Sequence, residues 1–485
     1  MKHNYFAVIF LVFCYFLLFC VADDVVELQC RATKESKDVC LVTKKGNFHE
    51  KNVTIVSGKA AEVKHMKILR VDLGKIPSGL KNFRKLETVT FESCGISSLD
   101  GMKNVKSVQQ IFLNKNEILK MGDAKFHAKV VYIEAQFNKM ENVTRNAFKN
   151  LPNLYWLDLS NNRIKKLPKK VFQHNPVLTS LNLNNNRLRN VRQVFRHQEN
   201  LRFLRLAMNR ITIIQADDFK NLKNLRELDV SGNKITSIDP KAFDGCQSLV
   251  MLNLSKNFLM NFQFTIVSKS LSFLYLMENP LQNVTLDYKE KPSRLVLDAS
   301  REKIQNETQL KVKFPRGLPL AHLNLANTNL NNVNNVARVK GLQKLSLANN
   351  TAITSSSLIS LLTLTNLQEL NLQGTNLTPE QLTTVLEMTN LVSLDVSGNP
   401  KLRGVTFKQR SNSVLSKLVF NNCNLTQLNV PGLRNFFTKL QEIHISGNNF
   451  TCEYLKELVA KLHNAGIRAH VSLNELNKCP WFARQ

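Results

Sequence analysis

The sequence predicts an α/β solenoid, in which short parallel strands stack along one side of the chain and turns or helices form the other side. Two observations predict it. Leucine and related apolar residues recur with fixed spacing over most of the 485 residues, and an asparagine or small substitute closes each unit. One such unit cannot bury its own apolar face, so it must stack on copies of itself.

The unit at 154–164 is the clearest, and it fits L-x-x-L-x-L-x-x-N-x-L, the leucine-rich repeat pattern. Leu157 and Leu159 alternate as in a short strand and point into a core, whereas Trp156 points the other way. Asn162 follows where the chain turns inward, and its side-chain amide can pair with buried backbone groups. The chain is therefore expected to form a horseshoe with a parallel concave sheet.

Copies of this unit align on the closing position, with gaps that are mostly 21 to 25 residues. The residues at that position are Cys94, Asn116, Asn138, Asn162, Asn186, Asn209, Asn233, Asn257, Asn279, Ser300, Thr328, Asn350, Thr375, Asn399, Cys423 and Asn448. A further unit is expected around Leu69, Val71 and Leu73. The gap after Ser300 is the outlier, and it predicts an irregular break near residues 287–319.

The two ends of the chain differ from the repeats. Residues 1–22 are typical of a signal peptide: Lys2 gives a positive start, an apolar run follows to Cys20, and Ala22 ends a small-residue cleavage site. An uncleaved signal anchor is the alternative, although the run is shorter than about 20 residues. We expect an N-terminal cap at 23–64, repeats at 65–451 and a C-terminal cap at 452–485. No later stretch is apolar enough for a transmembrane segment, so secretion is predicted.

Seven of the nine cysteines lie beyond the signal peptide. Cys30 and Cys40 flank the N-terminal cap, and Cys452 and Cys479 bracket the C-terminal cap, so each pair is predicted to form a disulfide that staples its cap. The remaining cysteines occupy core or closing positions, where thiols pack as small hydrophobes. They are Cys94, Cys246 and Cys423.

Helices are expected on the outer side of the later repeats. Thr378 followed by Pro379 and Gln381 is typical of a helix start with a capping box. The segment 452–462 places leucines on one face and ends before Gly466. In the earlier repeats a phenylalanine recurs at a fixed outer position and is expected to fill the wall; these residues are Phe148, Phe172, Phe195, Phe219 and Phe243.

No catalytic pattern is present in the sequence. It has no glycine-rich phosphate loop, no H-E-x-x-H, no nucleophile elbow and no clustered cysteine and histidine ligands. The ten histidines are scattered. An enzyme, a cofactor and a metal site are therefore not expected.

The concave face carries aromatic residues at strand spacing, which marks a contact surface for a partner. The alternatives are drift of the repeats, or cover by a sugar at Asn253 or by a neighbouring loop. The predicted partner-binding residues are Phe112, Tyr132, Trp156, Phe203, Arg205, Phe273 and Tyr275.

A second candidate surface follows from the charge. The chain has 66 Lys and Arg against 37 Asp and Glu, a net charge of +29. Cations directly after the closing residue form a basic edge of Lys139, Arg163, Arg187, Arg210 and Lys234. A solvated edge is one interpretation, and a site for an anionic glycan, nucleic acid or anionic membrane is the other.

Sequons agree with an extracellular chain. The candidate glycosylation sites are Asn52, Asn142, Asn253, Asn283, Asn306, Asn349 and Asn376.

Taken together, the signal peptide, the L-N-L-S/N-x-N cores at 181–186 and 252–257, and the cap N-F-T-C-E-Y-L-x-x-L ending at Cys479 resemble the leucine-rich immune proteins of mosquitoes. The resemblance implies a haemolymph factor of innate immunity that binds a complement-like, thioester-containing protein or a pathogen surface. No heptads follow Cys479, so the coil-less type is indicated, without coiled-coil dimerisation. A receptor-like or matrix protein in development or adhesion is the competing hypothesis.

Overall fold

The computed structural model of the protein describes residues 25–29, 39–42, 52–56, 60–122, 126–302, 309–405, 407 and 414–479. The chain divides into two compact units, one ending at Leu249 and the other beginning at Val250. Each unit is built from repeats with one short parallel strand on the inner side. The predicted fold, a leucine-rich repeat solenoid with a parallel sheet, is confirmed.

The strands of the first unit are short. They are β1 (Val25–Gln29), β2 (Val39–Val42), β3 (Asn52–Val56), β4 (His65–Leu69), β5 (Thr88–Glu92), β6 (Gln110–Phe112), β7 (Lys120–Met121), β8 (Tyr132–Glu134), β9 (Asn142–Val143), β10 (Trp156–Asp158), β11 (Ser180–Asn182), β12 (Phe203–Arg205), β13 (Ile213–Ile214), β14 (Glu227–Asp229) and β15 (Ser237–Ile238). Two 3₁₀ helices, Ser78–Asn82 and Asp100–Asn104, lie on the outer side.

The second unit contains strands and most of the helices. Its strands are β16 (Met251–Asn253), β17 (Asn261–Ile266), β18 (Phe273–Tyr275), β19 (Asn283–Tyr288), β20 (Leu295–Asp298), β21 (Lys311–Lys313), β22 (Leu320–Asn324), β23 (Lys344–Ser346), β24 (Glu369–Asn371), β25 (Ser393–Asp395), β26 (Lys417–Val419), β27 (Glu442–His444) and β28 (Arg468–His470). Its helices are α1 (Ser355–Leu361), α2 (Pro379–Leu386), α3 (Val430–Phe436), α4 (Cys452–Asn464) and α5 (Leu473–Lys478).

Each unit has an inner sheet of parallel strands and smaller outer sheets. In the first unit the inner order is β2, β4, β5, β6, β8, β10, β11, β12, β14. In the second it is β16, β18, β20, then β22 to β28 in sequence. The outer sheets pair β1 with β3, β7 with β9 and β13 with β15, and join β17, β19 and β21.

The core follows from the alternation along each strand. The central residue of an inner strand is buried while its neighbours face solvent, as Ile133 is between Tyr132 and Glu134. Burial of such aliphatic side chains stabilises the stack by roughly 1.5–3 kcal/mol each. The predicted outer phenylalanines are buried and stack in succession, with ring centroids 5.4 Å apart for Phe148 and Phe172.

Buried asparagines at the closing position form a ladder that ties each repeat to the next. Asn162 Oδ1 accepts from the Met140 N–H at 3.0 Å, and its amide donates to Ala135 and Leu159 carbonyls. Where asparagine is replaced, a shorter donor takes over part of this role. The Cys94 thiol donates to the Ile68 carbonyl at 3.2 Å, as the sequence alignment led us to expect of a buried thiol.

One position of the sequence alignment is wrong. The register of β18 and β20 pairs Leu274 with Leu297, so the residue that corresponds to Asn279 is Glu302 and not Ser300. The sequence misled because Ser300 is small and polar, whereas Glu302 is exposed and does not resemble the pattern.

The irregular segment 287–319 keeps the inner sheet, because β20 lies within it and pairs with both β18 and β22. Arg301 is buried just after this strand, and its guanidinium donates to the Leu281 carbonyl. The extra length of this repeat therefore lies after the strand, between Arg301 and the start of β22.

At the N-terminal end the buried residues of the first complete repeat are Met66, Ile68, Val71 and Leu73. Leu69, which the sequence pattern suggested, is only partly buried, because the strand faces are offset by one residue. In the segment predicted to form the N-terminal cap, β3 pairs with β1, while β2 continues the inner sheet.

The C-terminal segment confirms the predicted helix and disulfide. Thr451 caps α4 by accepting from the Tyr454 N–H, and Leu455, Leu458 and Leu462 are buried. The Cys452–Cys479 bridge is present, with 5.5 Å between the Cα atoms. The capping box of Thr378 and Gln381 at the start of α2 is also as predicted.

Candidate functional site

An aromatic column lies on the solvent face of the inner sheet in the first unit; we use this name for Phe112, Tyr132 and Trp156. Tyr132 and Trp156 are register partners on β8 and β10, and Phe112 on β6 pairs with Glu134. The Tyr132 ring centroid is 5.4 Å from that of Phe112 and 5.6 Å from that of Trp156, to which it is stacked. The three rings are partly buried and form one continuous surface.

Polar contacts fix the centre of this column. The Tyr132 hydroxyl donates to Glu134 Oε1, and Glu134 Oε2 accepts from Asn114 Nδ2 at 2.9 Å. Burial and then the Glu134 carboxylate raise the pKa of Tyr132, so the hydroxyl stays protonated and remains a donor. The central ring of the column is therefore held in place by a hydrogen bond before any partner docks.

Trp156 offers an unused donor. Its Nε1 is buried and has no hydrogen-bond partner within the described part of the chain. Buried indole N–H groups usually find an acceptor, so this one is an exception. Next to it, Asp158 is buried and accepts from Ser160 N–H and Asn182 Nδ2 at 2.8 Å each.

The other predicted concave residues lie on the same face but apart from the column. Ser180 stands between Trp156 and Phe203 in the register, and Arg205 follows Asn182 in the neighbouring row. In the second unit Phe273 is exposed and stacks with Tyr275 at 6.1 Å. All seven residues therefore lie on the solvent face of their strands, and the structure brings three of them together in the first unit and two in the second.

A groove lies on the same face of the second unit. Its volume is about 290 Å³, and Tyr275, Asp298 and His322 are among the residues that line it. Arg294 contacts His322 at 2.7 Å, and Lys344 forms an ion pair with Glu369 at 2.6 Å. Sequence reasoning identified Tyr275 but not the charged residues around it, because their proximity depends on strands some 25 residues apart.

The basic edge is partly neutralised by acidic residues of the preceding repeats. Lys139 forms an ion pair with Glu117 at 2.7 Å. Lys165, which donates a hydrogen bond to Glu141, lowers the pKa of that carboxyl, and Arg187 and Arg163 lower it further. Arg163, Arg210 and Lys234 are exposed, whereas Lys139 and Arg187 are partly covered.

The predicted thiols are buried and free, as expected. Burial raises the pKa of Cys94 to about 11, of Cys246 to about 12 and of Cys423 to about 11. Cys40 is buried and disulfide-bonded, and Cys30, its predicted partner, lies outside the described residues.

The candidate glycosylation sites vary in exposure. Asn142, Asn283 and Asn376 are exposed, and Asn253 and Asn349 are partly buried. The Asn52 side chain and all of Asn306 lie outside the part that the structure describes.

One cluster was missed in the sequence. Glu442, His444 and His470 come together on β27 and β28, and one potential ligand atom from each lies within 4.8 Å of the other two. Sequence reasoning treated the histidines as scattered, since His444 and His470 are far apart in the chain. Their proximity follows from the register of β27 and β28, which the sequence pattern does not determine.

Across the described residues, no helix combines the length and apolar character needed to cross a membrane. The predicted signal peptide at 1–22 lies outside the described residues.

Comparison with known proteins shows the fold. The leucine rich repeat family model matches residues 129–188, 152–211 and 199–259. The structure of the TLR13–ssRNA13 complex is similar with a TM-score of 0.62 and 20% identity, over 89% of this chain and 64% of that chain. This chain thus spans less than two thirds of that protein.

Two further solved structures are similar. A leucine-rich repeat protein of Leptospira interrogans has a TM-score of 0.50 and 18% identity, over 85% of this chain and 96% of that chain. The leucine-rich repeat domain of APL1 has a TM-score of 0.49 and 16% identity, over 92% and 100%. No curated protein sequence matches this chain. At these identities the likeness concerns the fold alone.

Proposed function

We propose that this protein is a non-enzymatic extracellular binding protein of innate immunity, and that the aromatic column binds a protein partner. The observation that carries the proposal is the contiguous contact of Phe112, Tyr132 and Trp156 on the open face of the sheet. Tyrosine and tryptophan contribute most of the binding energy in typical protein interfaces.

The column suits protein recognition in two further ways. Its central ring is already ordered by the Tyr132–Glu134 hydrogen bond, so less side-chain entropy is lost when a partner docks. The apolar rings also lie beside the partly exposed carboxylate of Glu134. A partner that covers the rings and brings a donor or cation to this carboxylate would satisfy both features.

The class of partner comes from the resemblance of the C-terminal cap to mosquito leucine-rich immune proteins. The proposed partner is a complement-like, thioester-containing protein, and a pathogen surface is the second target of the same role. Secretion, and glycosylation at exposed sequons such as Asn142 and Asn376, belong to this proposal. Protein binding through the column does not depend on that assignment.

The test is surface plasmon resonance with a purified thioester-containing complement-like protein of insect haemolymph. Trp156→Ala should weaken binding at least about tenfold, which corresponds to about 1.4 kcal/mol. Loss of the stacked pair with Tyr132 should also cost roughly 0.5–1.5 kcal/mol of stability, so binding is measured well below the melting transition.

Phe258→Ala is the matched control, because Phe258 is a 56% exposed aromatic residue outside the column. It should leave binding unchanged. Equal binding by the wild type and Trp156→Ala would move the interface away from the column. Another outcome is that the wild type fails to bind this probe and still binds bacterial cells in a way that requires Trp156. That result would reject the complement-like partner but support the column as the binding surface.

A further inference from the structure

The strands β27 and β28 bring two histidines and a glutamate to one face of the inner sheet. His444 is the register partner of His470, and Glu442 is the partner of Arg468. Ile443, between the two β27 residues, is fully buried. Because neighbours in a strand alternate, Glu442 and His444 share the opposite face, and His470 joins them from the adjacent strand.

The geometry leaves two ring nitrogens unused. The imidazoles of His444 and His470 are stacked with centroids 4.2 Å apart and an angle of 11° between their planes. The Nε2 atoms of both are buried and have no hydrogen-bond partner among the described residues. Buried polar atoms without a partner are uncommon and costly, and they call for an unseen ion or other ligand.

We propose that Glu442, His444 and His470 form a zinc-binding site. Two imidazoles and one carboxylate are a donor set that zinc prefers, with a water molecule in the fourth position. The ligand atoms already lie within 4.8 Å of one another. To bind one ion, both imidazoles must rotate out of their stacked arrangement, so that each Nε2 points at the zinc from the roughly 2 Å distance of a zinc–imidazole bond. Calcium and magnesium, which prefer oxygen ligands, do not fit this set.

The neighbouring charges decide how the carboxylate is presented. Arg468 contacts Glu442 Oε1 at 3.2 Å, while Oε2 lies 3.9 Å from His444 Nε2. Arg468 therefore holds one oxygen and turns the other toward the histidines. Lys417 Nζ also lies 3.9 Å from Oε2, and its side chain is 42% exposed. Zinc would displace this lysine, which makes Lys417 a competitor for the site.

The experiment is zinc titration by isothermal calorimetry, with the full chain produced without a polyhistidine tag. The wild type should bind one zinc ion. His444→Ala, His470→Ala and Glu442→Gln should each lower the affinity by at least about tenfold. Lys417→Met should raise it, because it removes the competing cation. His322→Ala is the matched control, since His322 is a partly exposed histidine of the same face that contacts Arg294 instead.

A second measurement separates binding from folding. Zinc should raise the melting temperature of the wild type and of Lys417→Met, because it binds the folded state only. This rise should vanish in His470→Ala while the far-UV circular dichroism of that variant in chelator stays that of the wild type. No zinc binding by the wild type would overturn the proposal. Equal zinc affinity in wild type and His444→Ala would overturn it as well, and so would a lower affinity in Lys417→Met.

Discussion

The asparagine ladder makes a quantitative prediction about how the repeats are coupled. In Asn162→Ala the Met140 N–H loses Asn162 Oδ1, its acceptor at 3.0 Å. The carbonyls behave differently because each has a second donor. The Ala135 carbonyl also accepts from Asn138 Nδ2 at 3.0 Å, and the Leu159 carbonyl accepts from Asn186 Nδ2 at 2.9 Å.

The cost can be estimated from this count. One buried N–H left without a partner costs about 1–3 kcal/mol, and each shared hydrogen bond lost from a carbonyl that keeps another donor costs roughly 0.5–1.5 kcal/mol. We therefore expect Asn162→Ala to destabilise the fold by roughly 2–6 kcal/mol. Arg163→Ala, one residue further and exposed, should cost less than about 0.5 kcal/mol.

Sharing of carbonyls predicts which pairs of substitutions are not additive. Asn138 and Asn162 both donate to the Ala135 carbonyl, so removal of both leaves that buried oxygen without either donor. The double variant should cost about 1–3 kcal/mol more than the sum of the single variants. Asn116 and Asn162 share no carbonyl: Asn116 donates to Phe91, Leu113 and Asn114. That pair should be additive within about 0.5 kcal/mol.

Urea unfolding followed by circular dichroism measures these free energies, and hydrogen exchange locates the damage. The Met140 amide should lose protection in Asn162→Ala, because its acceptor is gone. A cost below 1 kcal/mol, or equal coupling in the adjacent and the separated pair, would refute the reasoning. The repeats would then be held together by leucine packing without a contribution from the ladder.

The buried thiols predict a loss of stability at high pH. Their folded pKa values of about 11 to 12 lie above the ordinary 9.0, so the folded state keeps protons that the unfolded state releases, and stability falls as pH rises from 9 through about 12. Cys246→Ala should make this fall shallower by up to about 1.4 kcal/mol per pH unit; an unchanged slope in urea unfolding would contradict the burial of this thiol. On the basic edge, reversal of three arginines to glutamate should abolish salt-sensitive retention on heparin if the edge binds polyanions. The three residues are Arg163, Arg187 and Arg210. Equal losses of retention on heparin and on a plain cation-exchange matrix would assign the effect to net charge alone.

Most of the fold could be predicted because the same residue pattern recurs in many repeats. The spacing of Leu157, Leu159 and Asn162 determines which face of the strand is buried, and every regular repeat has the same spacing. Prediction failed where a single repeat departs from the pattern. Ser300 looked like a closing residue, but the register places Glu302 there, and only strand pairing distinguishes them.

The candidate sites were predictable in part. Alternation within a strand places Phe112, Tyr132 and Trp156 on the open face, because period two follows from sequence alone. Contact between their side chains does not follow, since it depends on rotamers and on the hydrogen bond from Tyr132 to Glu134. Nothing in the sequence indicated that the Trp156 indole nitrogen would be buried without a partner.

The histidine cluster could not be predicted from the sequence. His444 and His470 are separated by the whole of α4, so their proximity depends on how that helix returns the chain to the sheet. The closing motif does not constrain the length of this last outer segment, because no further repeat follows within the described residues. The register of β28 is thus set by tertiary contacts, among them the burial of Ile467 and the packing of α4. A site that spans two strands of a solenoid can be read from sequence only when the outer segment between them has a repeat length that the neighbouring units confirm.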